Sequence, residues 1–261
     1  MAFNYIEVAF YRLVIAFIVL SPFTLSSLRN IKNQHIIPIL IVSLIGTLIP
    51  AILFAFAQIY LDSANTGMLN ALTPIFTFII GIFFFQKKLN INTIIGIIIG
   101  LIGSYILLMP SSQNIVNTQY SLIVILATIC YAISINTIQD KLQSLNPLDI
   151  AVASSFFAFI IPILFFFNYG LGNTINKISL NLPSFYYLII LGLVCTSFAI
   201  ILFNYLIKRT SAIFGSSTTY LIPVFAIMWG IIDNEIIENH EIIGITIIIT
   251  GVLVMNYKKL E

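Results

Sequence analysis

The sequence contains 261 residues, of which 60% are hydrophobic and only 8% are charged. A soluble domain has about 25% charged residues, because most of its surface faces water, so this composition excludes a soluble globular protein. The formal net charge of +2 also excludes a basic surface that could neutralise a nucleic-acid backbone. We therefore predict a protein whose partners include the lipid bilayer and exclude nucleic acid.

Apolar segments long enough to cross a bilayer follow one another along the chain. A helix needs about 20 mostly apolar residues to span the hydrocarbon core. Nine such segments lie at residues 5–25, 36–61, 67–85, 91–109, 120–140, 147–168, 184–207, 214–232 and 241–257. They do not alternate apolar and polar residues as barrel strands do, and a backbone in hydrocarbon must form its hydrogen bonds within its own segment. The sequence thus predicts an all-α fold, a polytopic membrane helix bundle, with short polar loops such as residues 170–173.

The basic residues are distributed unequally between the two sides of these segments. Nine of the 11 Lys and Arg residues lie in alternate connections and in the C-terminal tail, whereas the opposite connections contain only Lys177. Because loops rich in Lys and Arg stay in the cytoplasm, we predict that the C-terminus is cytoplasmic and that the first segment begins outside. The predicted location is the cell (inner) membrane.

Two stretches of the chain that lie 149 residues apart resemble each other. Leu, Pro, Phe and Gly coincide when residues 72–81 are placed on residues 221–230. The two stretches cross the membrane in opposite directions, which predicts an inverted repeat with a site near the midplane between its halves. The predicted repeats are residues 1–110, with four helices, and residues 111–261, with five. We therefore expect a ten-helix (5+5) design of which nine helices are present and the first is missing.

These features resemble the EamA branch of the drug/metabolite transporter superfamily. The resemblance is carried by Glu7 to Arg12 with Ala16, by Ala64 to Pro74 and its recurrence at Ala212 to Pro223, and by Gly96, Gly100, Gly103, Gly244 and Gly251 with Pro110. It implies ten helices in two repeats of five with both termini in the cytoplasm, and export of amino acids or related metabolites. That family usually has a Glu after the fourth and ninth helices; Glu235 fits the second position, whereas Gln86 occupies the first.

Arg12 lies well inside the first segment, about 10 Å from its outer end at about 1.5 Å per residue. An Arg at this depth usually faces the interior of the bundle or a water-filled cavity. We consider two roles: Arg12 binds an anionic or carboxylate group of the substrate, or helix-terminal carbonyls or Glu7 satisfy it within the fold. Glu7 lies near the outer interface, on a different face of the helix, and is interpreted as a solvated carboxylate.

Polar residues near the middle of the segments are further candidate substrate contacts. They are Asn70, Thr73, Tyr131, Ser134, Ser197, Thr219 and Tyr220. Tyr131 and Tyr220 rank highest, because a tyrosine ring can stack while its hydroxyl forms hydrogen bonds. The alternative for the hydroxyl groups is structural, since Ser and Thr side chains commonly bond their own helix or a neighbouring helix.

Two prolines occupy corresponding positions in the repeat. Pro74 and Pro223 remove a backbone donor and kink a helix, so they are either hinges for alternating access or static bends. The small residues Gly96, Gly100 and Gly103 let helices approach each other closely. These glycines indicate packing within the subunit or, alternatively, a homodimer.

The function that this pattern favours is secondary transport of a small polar metabolite by alternating access, and the resemblance implies that the metabolite is amino-acid-like and is exported. The alternatives are an importer or exchanger of a larger metabolite such as S-adenosylmethionine, a fragment that pairs with another half, and an integral-membrane enzyme that acts on a lipid-linked substrate. The acidic stretch 233–240 is the one candidate for a catalytic region. The spacing of its acidic residues fits no known metal-binding loop. We therefore predict no enzymatic activity, no catalytic residue, no metal and no cofactor.

Overall fold

The structure is a computed structural model that describes residues 3–61, 63–87, 91–107, 118–169, 171–222, 225 and 239–256. Within these ranges the regular elements are helices and no strand is present. In the same described part of the chain, five helices are long and apolar enough to cross a membrane, and shorter apolar helices lie at Thr73–Phe85, Ile91–Ile106 and Ile242–Met255. The prediction of an all-α, polytopic membrane helix bundle is confirmed.

The described helices follow the predicted segments in order. They are α1 (Tyr5–Arg29), α2 (Asn33–Ala57), α3 (Ser63–Asn70), α4 (Thr73–Phe85), α5 (Ile91–Leu107), α6 (Thr118–Lys141), α7 (Pro147–Tyr169), α8 (Leu171–Leu180), α9 (Leu182–Arg209), α10 (Ala212–Ser217) and α11 (Asn239–Asn256). A 3-10 turn at Ser21–Phe23 lies within α1, and another at Thr218–Tyr220 follows α10. Helices α2 and α9 contain π-helical turns at Leu44–Leu48 and Leu193–Phe198.

Contacts between the helices divide the chain into two compact units. The first unit is Met1–Phe56 with Thr137–Arg209, and the second is Ala57–Asn136 with Thr210–Glu261. Each unit takes helices from both predicted repeats. The predicted repeat is a similarity between two stretches of sequence, and a division by contacts does not test it. The repeat therefore stays a prediction.

An aromatic core joins α1 to α7 and α9 in the first unit. Tyr11 of α1 stacks on Phe166 of α7, with ring centroids 4.6 Å apart and an angle of 27° between the planes. Phe10 packs edge-on against Phe165 at 5.1 Å, and Leu188 of α9 belongs to the same core. Lipid tails are as apolar as these side chains, so close packing rather than escape from water holds such helices together. This packing fixes α1 in place.

Helix α8 occupies a connection that the sequence predicts as a loop, and that prediction is wrong. The two glycines at 170 and 172 are turn signals, and the helix has only 10 residues, too few to span a membrane. The same stretch nevertheless places Leu171, Ile175 and Ile178 at helical spacing. Ile178 packs against the core of the first unit, whereas Ile175 is exposed. The segment therefore forms a short amphipathic helix.

Glycines bring α5 and α11 into close contact in the second unit. A Cβ atom on Gly96 would lie 2.7 Å from the carbonyl oxygen of Gly251, and one on Gly103 would lie 3.0 Å from that of Gly244. A side chain does not fit at these distances without moving the backbone. These glycines therefore serve packing within the chain, which was one of the two interpretations of the glycine pattern; the homodimer stays a prediction.

Candidate functional site

The π-helical turns of α2 and α9 lie at positions 149 residues apart, which is the spacing of the predicted repeat. In each turn a threonine donates its hydroxyl hydrogen to the carbonyl five residues earlier. Thr47 Oγ1 lies 3.2 Å from the oxygen of Val42, and Thr196 Oγ1 lies 2.8 Å from that of Leu191. Single π-turns inside α-helices are frequent at functional sites. Each of the two turns is therefore a candidate functional site.

Arg12 reaches the π-turn of α9 from the neighbouring helix α1. Its Nε donates to Oγ1 of Thr196 over 2.9 Å. Thr196 is only 1% exposed, whereas Arg12 is half-buried. Among the residues that the structure describes, Thr196 is the one hydrogen-bond partner of Arg12, so the N–H groups of both Nη atoms have no partner there. One edge of the guanidinium is held by the protein and the other is available to a ligand.

Close packing of α1 on α9 sets the position of Arg12. A Cβ atom on Gly192, directly before the π-turn, would lie 2.7 Å from Cβ of Ile15 and 3.0 Å from the carbonyl oxygen of Arg12. Ser197 Oγ lies 2.8 Å from the oxygen of Gly192 and 3.3 Å from that of Ala16, so its hydroxyl also contacts α1. The absent side chain at Gly192 thus lets the backbone of Arg12 approach the turn.

Glu7 does not neutralise Arg12, because it is paired with Lys177. Lys177 Nζ of α8 donates to both carboxylate oxygens of Glu7 at 2.7 Å. Glu7 is 3% exposed, and its Oε2 also accepts from the backbone N–H of Asn4 at the start of α1. The interpretation of Glu7 as a solvated carboxylate is therefore wrong. The sequence predicts a loop where α8 lies, and so does not show that Lys177 meets Glu7.

The arrangement around Arg12 is suited to an oxyanion. A guanidinium donates two parallel hydrogen bonds to a carboxylate, and such charge-assisted pairs are about twice as strong as neutral ones. In the described part of the chain Arg12 forms no ion pair that would compete for this role. Among the described residues neither a helix-terminal carbonyl nor Glu7 bonds Arg12, and its contact with a substrate stays a prediction.

The remaining candidate residues are divided between the units. Ser197 lies with Arg12 in the first unit, and the second unit contains Asn70, Thr73, Tyr131, Ser134, Thr219 and Tyr220. Two of the second-unit hydroxyls bond the carbonyl three residues earlier: Thr73 donates to the oxygen of Asn70 and Thr219 to that of Ser216. Ser134 is buried, and Asn70 and Tyr131 are half-buried. Contact of any of them with substrate stays a prediction.

Tyr220 has a structural place in the second unit. It is 0% exposed, and its hydroxyl donates to the carbonyl oxygen of Ile97 in α5 over 3.2 Å. Its ring fills the space beside Gly100, where a Cβ atom would lie 2.7 Å from Cε2 of Tyr220. The hydroxyl that ranks Tyr220 highly in the sequence is therefore used in joining the 3-10 turn to α5.

Asn136 is a buried polar residue that the sequence reasoning does not select. It is 0% exposed in α6, and its Nδ2 donates to the carbonyl oxygens of Thr77 in α4 and Ala132 in its own helix, both at 2.9 Å. Its Oδ1 has no hydrogen-bond partner among the described residues. An amide in the middle of an apolar segment was the signal that could have identified it.

The two predicted hinge prolines have different outcomes. Pro74 is near the first residue of α4, after a break at Ala71 and Leu72 that separates α3 from α4, so the predicted kink within 67–85 is an interruption instead. Pro223 lies outside the described residues, as does most of the acidic stretch 233–240. Within the described ranges, no group of His, Cys, Asp and Glu residues has the arrangement of a metal site.

Comparison with known proteins agrees with this fold. The EamA-like transporter family matches residues 2–109 and 119–257. An uncharacterized transporter of Archaeoglobus fulgidus is 21% identical over 88% of this chain and 81% of its own length. The uncharacterized transporter YetK of Bacillus subtilis is 25% identical over 88% of this chain and 70% of its own length. A protein of known crystal structure superposes with a TM-score of 0.74 over 97% of this chain and 89% of its own, and its identity of 13% shows similarity of fold alone.

Proposed function

Because the chain belongs to the EamA-like transporter family, we propose that this multi-pass membrane transporter moves a small polar, amino-acid-like metabolite and that Arg12 binds the carboxylate of that metabolite. The direction that we propose is export, by alternating access as a secondary transporter. The distribution of Lys and Arg supports a location in the inner membrane with a cytoplasmic C-terminus. Relatives that are named as transporters support this class over an enzyme.

The observation that carries the proposal is the free edge of Arg12. An unpaired charge inside a membrane segment is costly, so such residues are retained where they bind ions, substrates or partners. Nε is bound by Thr196 and both Nη atoms lack described partners. A substrate carboxylate satisfies those donors and compensates the charge.

Transport by purified protein in proteoliposomes tests the proposal. The probe is a ¹⁴C-labelled mixture of the common L-amino acids, taken up by counterflow into vesicles loaded with the unlabelled mixture. Arg12→Ala removes the carboxylate ligand, and Arg29→Ala is the matched control, since Arg29 is exposed at the other end of α1. A hydrogen bond to a charged group contributes about 1.5–3 kcal/mol, so we expect Arg12→Ala to lower uptake by about 10-fold or more. Arg29→Ala should leave the rate of uptake within about twofold of the wild-type rate, because it removes no proposed contact with the substrate.

Competition separates the carboxylate from the rest of the substrate. Unlabelled amino-acid amides keep the amine and side chain but lack the carboxylate, so they should compete at least about 10-fold less well than the acids. Equal competition by acids and amides contradicts the carboxylate contact. Absence of uptake by the wild type contradicts the proposed substrate. Full uptake by Arg12→Ala contradicts the proposed role of Arg12.

A further inference from the structure

We propose that Thr196 is a positioning residue: it holds Arg12 in the orientation that binds the carboxylate, and it does not touch the substrate itself. This inference rests on the proposed function of Arg12. It goes beyond it by assigning a role to the π-turn of α9. In this role the turn is a support that orients a charged side chain from another helix.

The two hydrogen bonds of Thr196 define the direction in which Arg12 is held. Its hydroxyl hydrogen is directed to the oxygen of Leu191, at 2.8 Å, so its lone pairs are left for an incoming donor. Arg12 Nε is that donor at 2.9 Å. Because Thr196 is 1% exposed, a substrate has no access to its hydroxyl. Any effect of Thr196 on binding must then pass through Arg12.

Holding Nε in advance should strengthen substrate binding. Immobilising a flexible side chain when a ligand binds weakens the affinity, and a side chain that is already held avoids much of this cost. Arg is the residue that can do this, since Nε donates sideways while both Nη atoms remain for the ligand. Lys has all its donors on one nitrogen, so it lacks the planar fork that donates two parallel bonds to a carboxylate while a separate nitrogen is held.

Thr47 is a matched control within the same chain. It lies in the π-turn of α2 and donates to the carbonyl five residues earlier, at Val42, as Thr196 does to Leu191. Among the described residues, Val42 is its one hydrogen-bond partner. Thr47→Val and Thr196→Val therefore remove the same local bond, and only Thr196→Val also removes the acceptor for Arg12.

The experiment measures KM and Vmax of uptake for the single L-amino acid that the wild type takes up fastest from the mixture. We expect Thr196→Val to raise KM about 3- to 10-fold with Vmax within about twofold, from the cost of ordering one side chain. Thr196→Ser keeps the hydroxyl and should restore the wild-type KM. Thr47→Val should change KM by less than about twofold. In the Arg12→Ala background, Thr196→Val should have no further effect, because the two residues act as one unit.

The outcomes distinguish this inference from the proposed function. If Arg12→Ala loses uptake while Thr196→Val and Thr47→Val behave alike, the positioning role is overturned and the role of Arg12 stands. If Arg12→Ala transports normally, both are overturned.

If the wild type takes up none of the probe, the proposed substrate is overturned and the positioning role is decided without transport. Phenylglyoxal condenses with arginine, and mass spectrometry measures its rate at each position, with Arg29 and Arg209 as internal standards. Thr196→Val should change the relative rate at Arg12 by about threefold or more, given the lost constraint on the side chain. An unchanged rate, or the same change in Thr47→Val, overturns the inference. Variants are compared only when they elute as monodisperse protein, and Thr196→Ala, which also removes the hydroxyl acceptor, replaces Thr196→Val if that variant does not fold.

Discussion

The π-turns of α2 and α9 have the same local structure and different neighbours. Thr47 and Thr196 make the same bond within their turns, but of these two threonines Arg12 of α1 donates to Thr196. The turn of α2 instead packs against α7. The irregular turn is thus a property of each helix, whereas the positive charge beside it is supplied by another helix. Two turns with the same local hydrogen bond therefore differ in the side chains that surround them.

The two turns also have different local causes. Pro50 follows the turn of α2; it lacks a backbone N–H, and its ring clashes with the carbonyl four residues earlier, which widens the helix there. The corresponding position after the turn of α9 is Ala199, which has no such effect. That turn has two hydroxyl groups, on Thr196 and Ser197, that each bond the carbonyl five residues earlier. The turn that meets Arg12 is therefore stabilised by hydroxyl–carbonyl bonds within its own helix.

The largest effect on this comparison should come from Gly192→Ala. The new Cβ would lie 2.7 Å from Cβ of Ile15, so α1 must move away from α9. Overpacking of this kind costs about 1–3 kcal/mol, and it also displaces Arg12 from Thr196. We expect a lower thermal unfolding midpoint in detergent together with a higher KM. An unchanged midpoint would show that α1 adjusts at no cost.

A second variant tests how α1 is held at its amino-terminal end. Glu7→Gln removes the charge of a carboxylate that is 3% exposed and leaves Lys177 without its counter-ion. Breaking a fully buried pair costs about 3–5 kcal/mol, and because Lys177 remains partly exposed we expect about 1–3 kcal/mol. The control is Asp140→Asn, which breaks the exposed pair with Lys141 and should cost less than about 1 kcal/mol. Equal shifts in the unfolding midpoint for both variants would show that the buried pair contributes no more stability than the exposed pair.

Ser197→Ala tests a hydroxyl that only the turn of α9 has, since the corresponding residue in α2 is Leu48. Ser197 is buried and bonds Gly192 and Ala16. Loss of this bond should lower stability by about 0.5–1.5 kcal/mol, measured as an unfolding midpoint, with KM unchanged within about twofold. A large rise in KM with normal stability would instead support the predicted contact of Ser197 with substrate.

The smallest effect should come from Ser43→Ala, at the position in α2 that corresponds to Gly192. Ser43 Oγ is fully buried and has no hydrogen-bond partner among the described residues. Replacing an unsatisfied buried hydroxyl with a methyl group should leave stability unchanged or raise it by up to about 1 kcal/mol. A clear loss of stability in the same thermal assay would indicate a bound partner for Ser43.

Much of the fold follows from the sequence, because span length and composition leave few alternatives in lipid. Helices lie close to the predicted segments from α1 to α7, and the glycines of α5 and α11 pack as their spacing suggests. The failure at α8 has a physical reason. A helix of 10 residues with glycines at its start carries a weak local signal, and it is stabilised by packing of its apolar face on a core formed by other helices.

The candidate site was only partly predictable. The sequence identifies Arg12 by its depth in an apolar segment, which is a property of one helix. Its partner Thr196 is 184 residues away along the chain, and nothing local connects the two. Tyr220 shows the complementary case, because the sequence does not reveal that its ring fills the space beside Gly100. Its contact with a substrate stays a prediction.

The sequence by itself determined that this protein lies in lipid, that it is helical and that one arginine is placed deep in its first segment, because each follows from the cost of polar groups in hydrocarbon. Only the tertiary structure decided which groups satisfy those polar residues. Lys177 is paired with Glu7 over 170 positions, and Thr196 holds one edge of Arg12, whose other edge has no partner among the described residues. Partners are chosen by proximity in the folded chain, which the local sequence does not contain.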